Sequence, residues 1–310
     1  MVQTNSLKPK IIVIGGTTAV GKTGVSLMLA KDLGGEIISC DSMQVYKYAS
    51  VGTAKITPKE MQGIKHYLID FLEPNIEFSA GEFAHKAGEI IKDIIKRGKV
   101  PIIVGGTGLY ITSLLFPLTS GTTRSDSIRN ELNTILSAQG KEALYKKLEE
   151  IDPATAKALH INQTDRIIRA LEIYYLTGKK KSELEKTKTS PYDYLLFVLD
   201  DSRENIYKRI DERVKQMVLD GIIEETKQLI EKRNVKENSP IMKAIGYKES
   251  LEYINGNINK DQLVELISKN TRHYAKRQQT YFKKIEGANF VDRNKYKEIL
   301  SKAKDFLGIK

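Results

Sequence analysis

Apolar runs and helical periods alternate along the first 120 residues. Ile11–Ile14 is an unbroken run of β-branched residues and predicts a buried strand. Thr23–Leu33 has helical spacing and is closed by Gly34 and Gly35. Glu36–Ser39 predicts a second strand, and His66–Phe71 a short one. Ser79 with Glu82 three residues on forms a capping box. It opens a helix whose apolar positions Phe83, Ala87, Ile90, Ile91, Ile94 and Ile95 fit a 3.6-residue period, ended by Gly98. Val100–Val104 predicts another buried strand and Thr107–Phe116 another helix. Strands alternating with helices in this way predict βαβ units, and hence an α/β fold with a parallel sheet flanked by helices.

The pattern changes after Phe116. Residues 119–190 are polar and helical with no strand-like run, and Tyr194–Leu199, "YLLFVL", then returns to a strand. This places an all-helical insertion, residues 121–190, inside a core made of residues 1–120 and 191–310. From Ser202 onward the pattern is helical. Ile206, Ile210, Val214, Met217 and Val218 make one apolar face closed by Gly221, and Asp261 opens a long final helix to about Lys284.

Composition narrows the setting. A chain of 310 residues with 40% hydrophobic and 29% charged residues can bury a sizeable core. No window of 18 apolar residues predicts a membrane span, and "MVQTNSLKPK" lacks the apolar run of a signal peptide. The single cysteine, Cys40, excludes an internal disulfide and a Cys-rich zinc site, and a reducing cytoplasm is expected. The net charge is +11, of which +7 falls on residues 270–310 with 11 basic and 4 acidic residues. Such a patch suits a polyanion, nucleic acid above all; a solvated lysine-rich surface is the plainer alternative.

The chemistry starts at residues 16–23. Gly16-Thr17-Thr18-Ala19-Val20-Gly21-Lys22-Thr23 matches G-x-x-x-x-G-K-[ST] between a predicted strand and a helix. Glycines let backbone N–H groups curl round an anion, the helix start faces it, Lys22 adds a charge, and the Thr23 hydroxyl suits Mg²⁺. This predicts a P-loop NTPase-like sheet that binds a phosphate or diphosphate, in a pattern shared with ATP-binding proteins. An NTPase places an acid at the end of a further strand, whereas "PIIVGGTGLY" ends in glycines and Thr107. The acid is Asp41, directly after Glu36–Ser39, at the crevice where α/β sheets bind ligands. It can serve as a Mg²⁺ ligand, as a general base, or merely as the cap of the next turn.

The motifs "GGTTAVGKT", "DSMQVYK", "VGTAKIT", "VGGTGLYI", "DRIIRALEIYYLTGKKKS", "ERVKQMVLDGIIEE", "AIGYKE" and "TRHYAKRQQTYFKK" run in order from residue 15 to 284. Together they resemble the bacterial tRNA dimethylallyltransferases, also called tRNA isopentenyltransferases. Thr17 stands where that family usually has Pro, Tyr281 where it has Trp, and the zinc finger of eukaryotic relatives is missing. Because Pro has no N–H to lose, Thr17 is expected to cost nothing.

The resemblance implies transfer of a dimethylallyl group from dimethylallyl diphosphate to N6 of the adenosine 3′ of the anticodon, position 37, with Mg²⁺ as cofactor. It implies Asp41 as the base, Thr107 and Arg213 at the diphosphate beside the P-loop, and a tRNA anticodon stem-loop as partner. Ser42, Met43 and Gln44 would read the flipped adenine. Arg129, Asp165, Arg166 and Arg169 in the insertion, and Lys276, Arg277 and Gln278 in the tail, would contact RNA. A basic stripe of Lys269, Arg272, Lys276 and Lys283 supports the last group; solvated helix faces are the alternative. The enzyme would act as a monomer. Three other readings stand beside it: an adenylate isopentenyltransferase using AMP, ADP or ATP, a P-loop small-molecule kinase, and a non-catalytic RNA binder with a vestigial loop.

Overall fold

Residues 8–117, 124–186 and 189–309 are described by the structure, a computed structural model. The central strand is β1 (Lys10–Gly16), whose residues from Ile11 to Gly16 are all buried. It pairs in parallel with β4 (Val100–Val104) on one side and β5 (Asp193–Asp200) on the other. β4 carries β2 (Gly35–Ser39), and β2 carries the two-residue β3 (His66–Tyr67). On the opposite flank β5 pairs with β6 (Ala288–Asp292). The order is β3-β2-β4-β1-β5-β6, parallel throughout. All the carboxyl ends therefore lie along one edge, the edge at which such sheets bind ligands.

Helices cover both faces, which is why the inner strands read as continuous apolar runs. On one face α1 (Lys22–Leu33) and α12 (Tyr296–Leu307) pack Leu29, Leu33, Ile299 and Ala303 against Ile12, Ile14, Ile102 and Phe197. Each such side chain contributes about 1.5–3 kcal/mol on burial. A second cluster joins α8 (Arg203–Leu219), α9 (Ile222–Arg233) and α11 (Lys260–Phe282) through Ile206, Ile210, Val214, Ile222, Leu263 and Ile267. The helix α2 (Ala80–Lys96) starts with the predicted Ser79–Glu82 capping box, worth about 1 kcal/mol. It buries Phe83, Ala87, Ile91 and Ile94, whereas Ile90 is half-buried and Ile95 exposed, so the buried stripe is narrower than the six positions predicted.

The expectation that everything after Ser202 is helical is wrong in one respect. β6 is an edge strand with only Val291 buried, so its sequence shows no period-2 alternation to detect. The helix α11 is consequently not the last; α12 follows it. His66–Phe71 shrinks to two strand residues because Leu68 and Asp70 have left-handed backbones that end the ladder.

The chain divides into two compact units, residues 1–114 with 191–310, and residues 115–190. After α3 (Gly108–Leu115), the second unit comprises α4 (Asp126–Ile151, broken at Gly140), α5 (Pro153–Ala158), α6 (Thr164–Thr177) and α7 (Lys181–Lys186). Leu132, Leu144, Leu148, Ile167 and Leu171 form its own core. No helix among the described residues is long and apolar enough to cross a membrane.

Candidate active site

Three loops meet at the carboxyl edge of β1, β4 and β2, and backbone hydrogen bonds join them. Gly105 N–H donates to Ile14 O (3.1 Å), Cys40 N–H to Val104 O (2.7 Å) and Thr107 N–H to Cys40 O (3.3 Å). Only glycine fits at Gly105, where a Cβ would lie 1.9 Å from Cys40 O. These loops and the middle of α8 surround a cavity of about 610 Å³ lined by Thr18, Ala19, Gly21, Lys22, Thr23, Asp41, Gln44, Arg213, Tyr274 and Gln278, among others.

The P-loop lies on one wall. Gly16 (φ 140°) approaches β5 so closely that a Cβ would meet Leu199 O at 2.7 Å. Ala19 holds a left-handed backbone (φ 60°), a conformation costing about 1–3 kcal/mol in a non-glycine residue. The Arg209 Nε donates to the Ala19 carbonyl (2.7 Å) and fixes it there. Lys22 Nζ donates to the carbonyls of Gly16 (3.0 Å) and Thr17 (2.7 Å). Burial pulls the Lys22 ammonium down to about 8; Asp41 opposes that shift and Arg213 adds to it. Val20 is buried in the sheet-face core, and Thr23 stands exposed at the cavity. Thr17 corrects the expectation that it costs nothing: its hydroxyl is buried without a hydrogen-bond partner, a desolvation cost of about 1–3 kcal/mol that Pro would avoid.

Asp41 lines the same cavity. Its Oδ1 accepts from Met43 N–H (2.9 Å) and Gln44 N–H (3.3 Å), so it does cap the following turn, and the residue also lines the cavity. Thr107 Oγ1 accepts from Ser42 N–H (3.0 Å), which ties the β4–α3 loop to the Asp41 loop. Met43 packs against the Val45–Tyr46 cluster. The Gln44 Nε2 donates to the carbonyls of Thr53 (3.2 Å) and Ala54 (3.3 Å), which fixes the orientation of its amide. That loop is held in turn by Glu225, whose carboxylate accepts from the N–H groups of Ser50, Val51 and Gly52 and from Tyr247 Oη. Arg213 reaches Thr18 Oγ1 (3.4 Å) and Thr53 O (3.5 Å) and is half-buried; burial lowers its ordinary value and Asp41 opposes the shift.

The helix α11 closes the cavity with one face and presents cations on another. Gln278 is buried, accepting from Thr18 N–H (2.9 Å) and donating to Gly106 O (2.9 Å). Both ends of its amide are thus engaged inside the protein. Tyr274, one turn earlier, lines the cavity with a hydroxyl pushed up to about 12, chiefly by burial and then by Asp41. Lys269, Lys276, Arg277 and Lys283 are exposed, while Arg272 is paired with Asp211 (2.6 Å).

In the second unit Arg129 and Arg169 converge on the buried Glu172 at 3.0 and 2.7 Å. Burial works to raise Glu172, but the two guanidinium groups and the Ser125 N–H outweigh it and hold the carboxyl below its usual range. Asp165 and Arg166 are exposed on the same helix, α6.

Several cavity residues escape a reading of the sequence alone. Arg209 stands four residues before Arg213 on α8, and Tyr274 four before Gln278 on α11, so helical spacing from a known site residue would find both. Arg293 follows β6, the strand that periodicity does not reveal.

The chain is similar to known proteins along most of its length. A protein-family model described as IPP transferase matches residues 44–285. A tRNA dimethylallyltransferase of Thermoanaerobacter sp. (strain X514) is 46% identical over 301 residues, covering 94% of this chain and 95% of that protein. One of Halalkalibacterium halodurans is 43% identical over 290 residues, 92% of each. Among solved structures, the full-length tRNA isopentenylpyrophosphate transferase from Bacillus halodurans has a TM-score of 0.72 at 40% identity over 97% of both chains. A eukaryotic dimethylallyltransferase acting on tRNA has a TM-score of 0.86 at 32% identity, over 96% of this chain and 79% of that one.

Proposed function

Because the chain belongs to the IPP transferase family, we propose that it prenylates adenosine in tRNA, moving a dimethylallyl group from dimethylallyl diphosphate to N6 of the adenosine 3′ of the anticodon. The observation that carries the reading is one cavity lined by the P-loop with Lys22 and by Asp41 together. A diphosphate held by the loop amides, Lys22 and Arg213 is a stabilised leaving group. Asp41, in the same cavity, accepts the N6 proton as the C–N bond forms and the C–O bond to diphosphate breaks. The adenine leaves its stack to reach this depth. Gln44, held by the Thr53 and Ala54 carbonyls through its Nε2, has an Oε1 that accepts from Ser39 Oγ (3.4 Å) and has a second lone pair for a base amine.

The residues present fit Mg²⁺. Thr23 offers a hard oxygen donor at the cavity, and no group of three acidic, His or Cys ligands occurs among the described residues. That sparse set is what Mg²⁺ uses when a substrate phosphate completes its shell. When bound it would neutralise charge on the diphosphate.

Lys269, Lys276, Arg277 and Lys283 on α11 serve the anticodon stem-loop, and Arg166, exposed in the second unit, is a further candidate contact; Arg129 and Arg169 serve Glu172 instead. Gln278 supports the site loops rather than contacting RNA. The chain works as a monomer in the cytoplasm. Incubation with labelled donor and either tRNA or AMP tests the reading: label is expected in tRNA, and label confined to AMP would make the protein an adenylate isopentenyltransferase. The logarithmic salt slope of tRNA affinity should become shallower by about one unit in Lys276→Ala. An unchanged slope would remove Lys276 from the interface.

A further inference from the structure

Four cations line the cavity, and three of them are engaged. Lys22 donates to the carbonyls of Gly16 and Thr17. Arg209 donates to Ala19 O and pairs with Asp201 at 2.7 Å. Arg213 reaches Thr18 Oγ1 and Thr53 O. The fourth, Arg293, differs: among the described residues its side chain makes no hydrogen bond and no ion pair. It is half-buried at the carboxyl end of β6, with its main-chain N–H on Asp200 O (3.4 Å). Its guanidinium lies against Gly21, where a Cβ would come within 3.1 Å of Nη1 and 3.2 Å of Cζ. Gly21 directly precedes Lys22 and caps the helix start that faces a bound anion.

We propose that Arg293 is a diphosphate-binding residue of this chain, a second guanidinium beside Arg213 that reaches the leaving group from the loop after β6. The inference rests on the function proposed above. A guanidinium that lines the cavity with five donors and no protein acceptor is free to turn those donors onto an anion held in the P-loop. A diphosphate in the P-loop offers oxygens to Arg293 as well as to Arg213, and Arg is the residue whose planar fork grips phosphate in a bidentate way. The contact is to the leaving group and not to the acceptor, so it acts on donor and product and leaves RNA affinity alone.

The test uses the full chain with Mg²⁺ and inorganic pyrophosphate as the probe, measured by titration calorimetry, with steady-state prenylation of tRNA alongside. Arg293→Ala is expected to weaken pyrophosphate binding about 5- to 30-fold and to raise the donor KM by a similar factor. Arg293→Lys should recover part of the loss, and tRNA affinity should stay within about twofold in both. Equal melting temperatures establish that the variants fold. Pyrophosphate affinity within twofold of the unaltered chain, or a defect confined to tRNA affinity, would overturn the role of Arg293. Failure of the unaltered chain to bind pyrophosphate or to prenylate tRNA would overturn the function itself, a result distinguishable from either.

Discussion

Asp41→Asn is expected to reduce turnover by about 10²- to 10⁴-fold, the range of a lost general base, with tRNA affinity changed by less than about threefold. Asparagine is the informative substitution because Asp41 has two jobs. Its Oδ1 caps the turn by accepting from Met43 and Gln44 N–H, and an amide oxygen does the same. What Asn cannot do is take a proton. Asp41→Ala would lose both functions and leave the cause open. Single-turnover transfer from labelled donor to tRNA, paired with a filter-binding measurement, separates the two. Turnover within tenfold of the unaltered protein would reduce Asp41 to the turn cap that the sequence alone also allows.

Lys22→Met should lower kcat/KM by about 10³-fold, the scale of a preorganised group removed from a developing anion. The pH dependence gives a sharper signature. Burial places the Lys22 ammonium at about 8 rather than the usual 10.5. Below that pH the side chain is charged in the free protein and ready for the diphosphate. Above it the free protein must take up a proton on binding, so donor affinity falls by about tenfold for each further pH unit. The Met variant has no such proton to recover, and its weaker binding should be flat between pH 7 and 9.5. A parallel decline in both proteins would assign the titration to another group.

Much of the site was readable because it lies on strand ends, and strand ends are marked by abrupt changes of residue type. An apolar run followed by glycines, or by a lone aspartate, announces the carboxyl edge of a parallel sheet, and β1, β2 and β4 all carry that mark. What could not be read is set by tertiary contact. Gln278 lies in a motif of exposed cations, and nothing in "AKRQQ" shows that its amide turns inward to bridge Thr18 and Gly106. Arg129 and Arg169 look like free basic residues until Glu172, distant from Arg129 in sequence, is found between them. β6 stayed hidden because an edge strand with one buried residue obeys no period.

The position of β6 in the chain has a consequence for synthesis. β1 finds its partner β5 only after about 180 intervening residues have emerged, and β6 follows β5 by about 90 more. Chains are made at about 5–20 residues per second, so the core sheet stays open for seconds while residues 115–190, compact in themselves and rich in local contacts, can already fold. Until β6 and Arg293 emerge, the β5 edge is open to pairing with another nascent chain and the phosphate cavity lacks one of its lining cations.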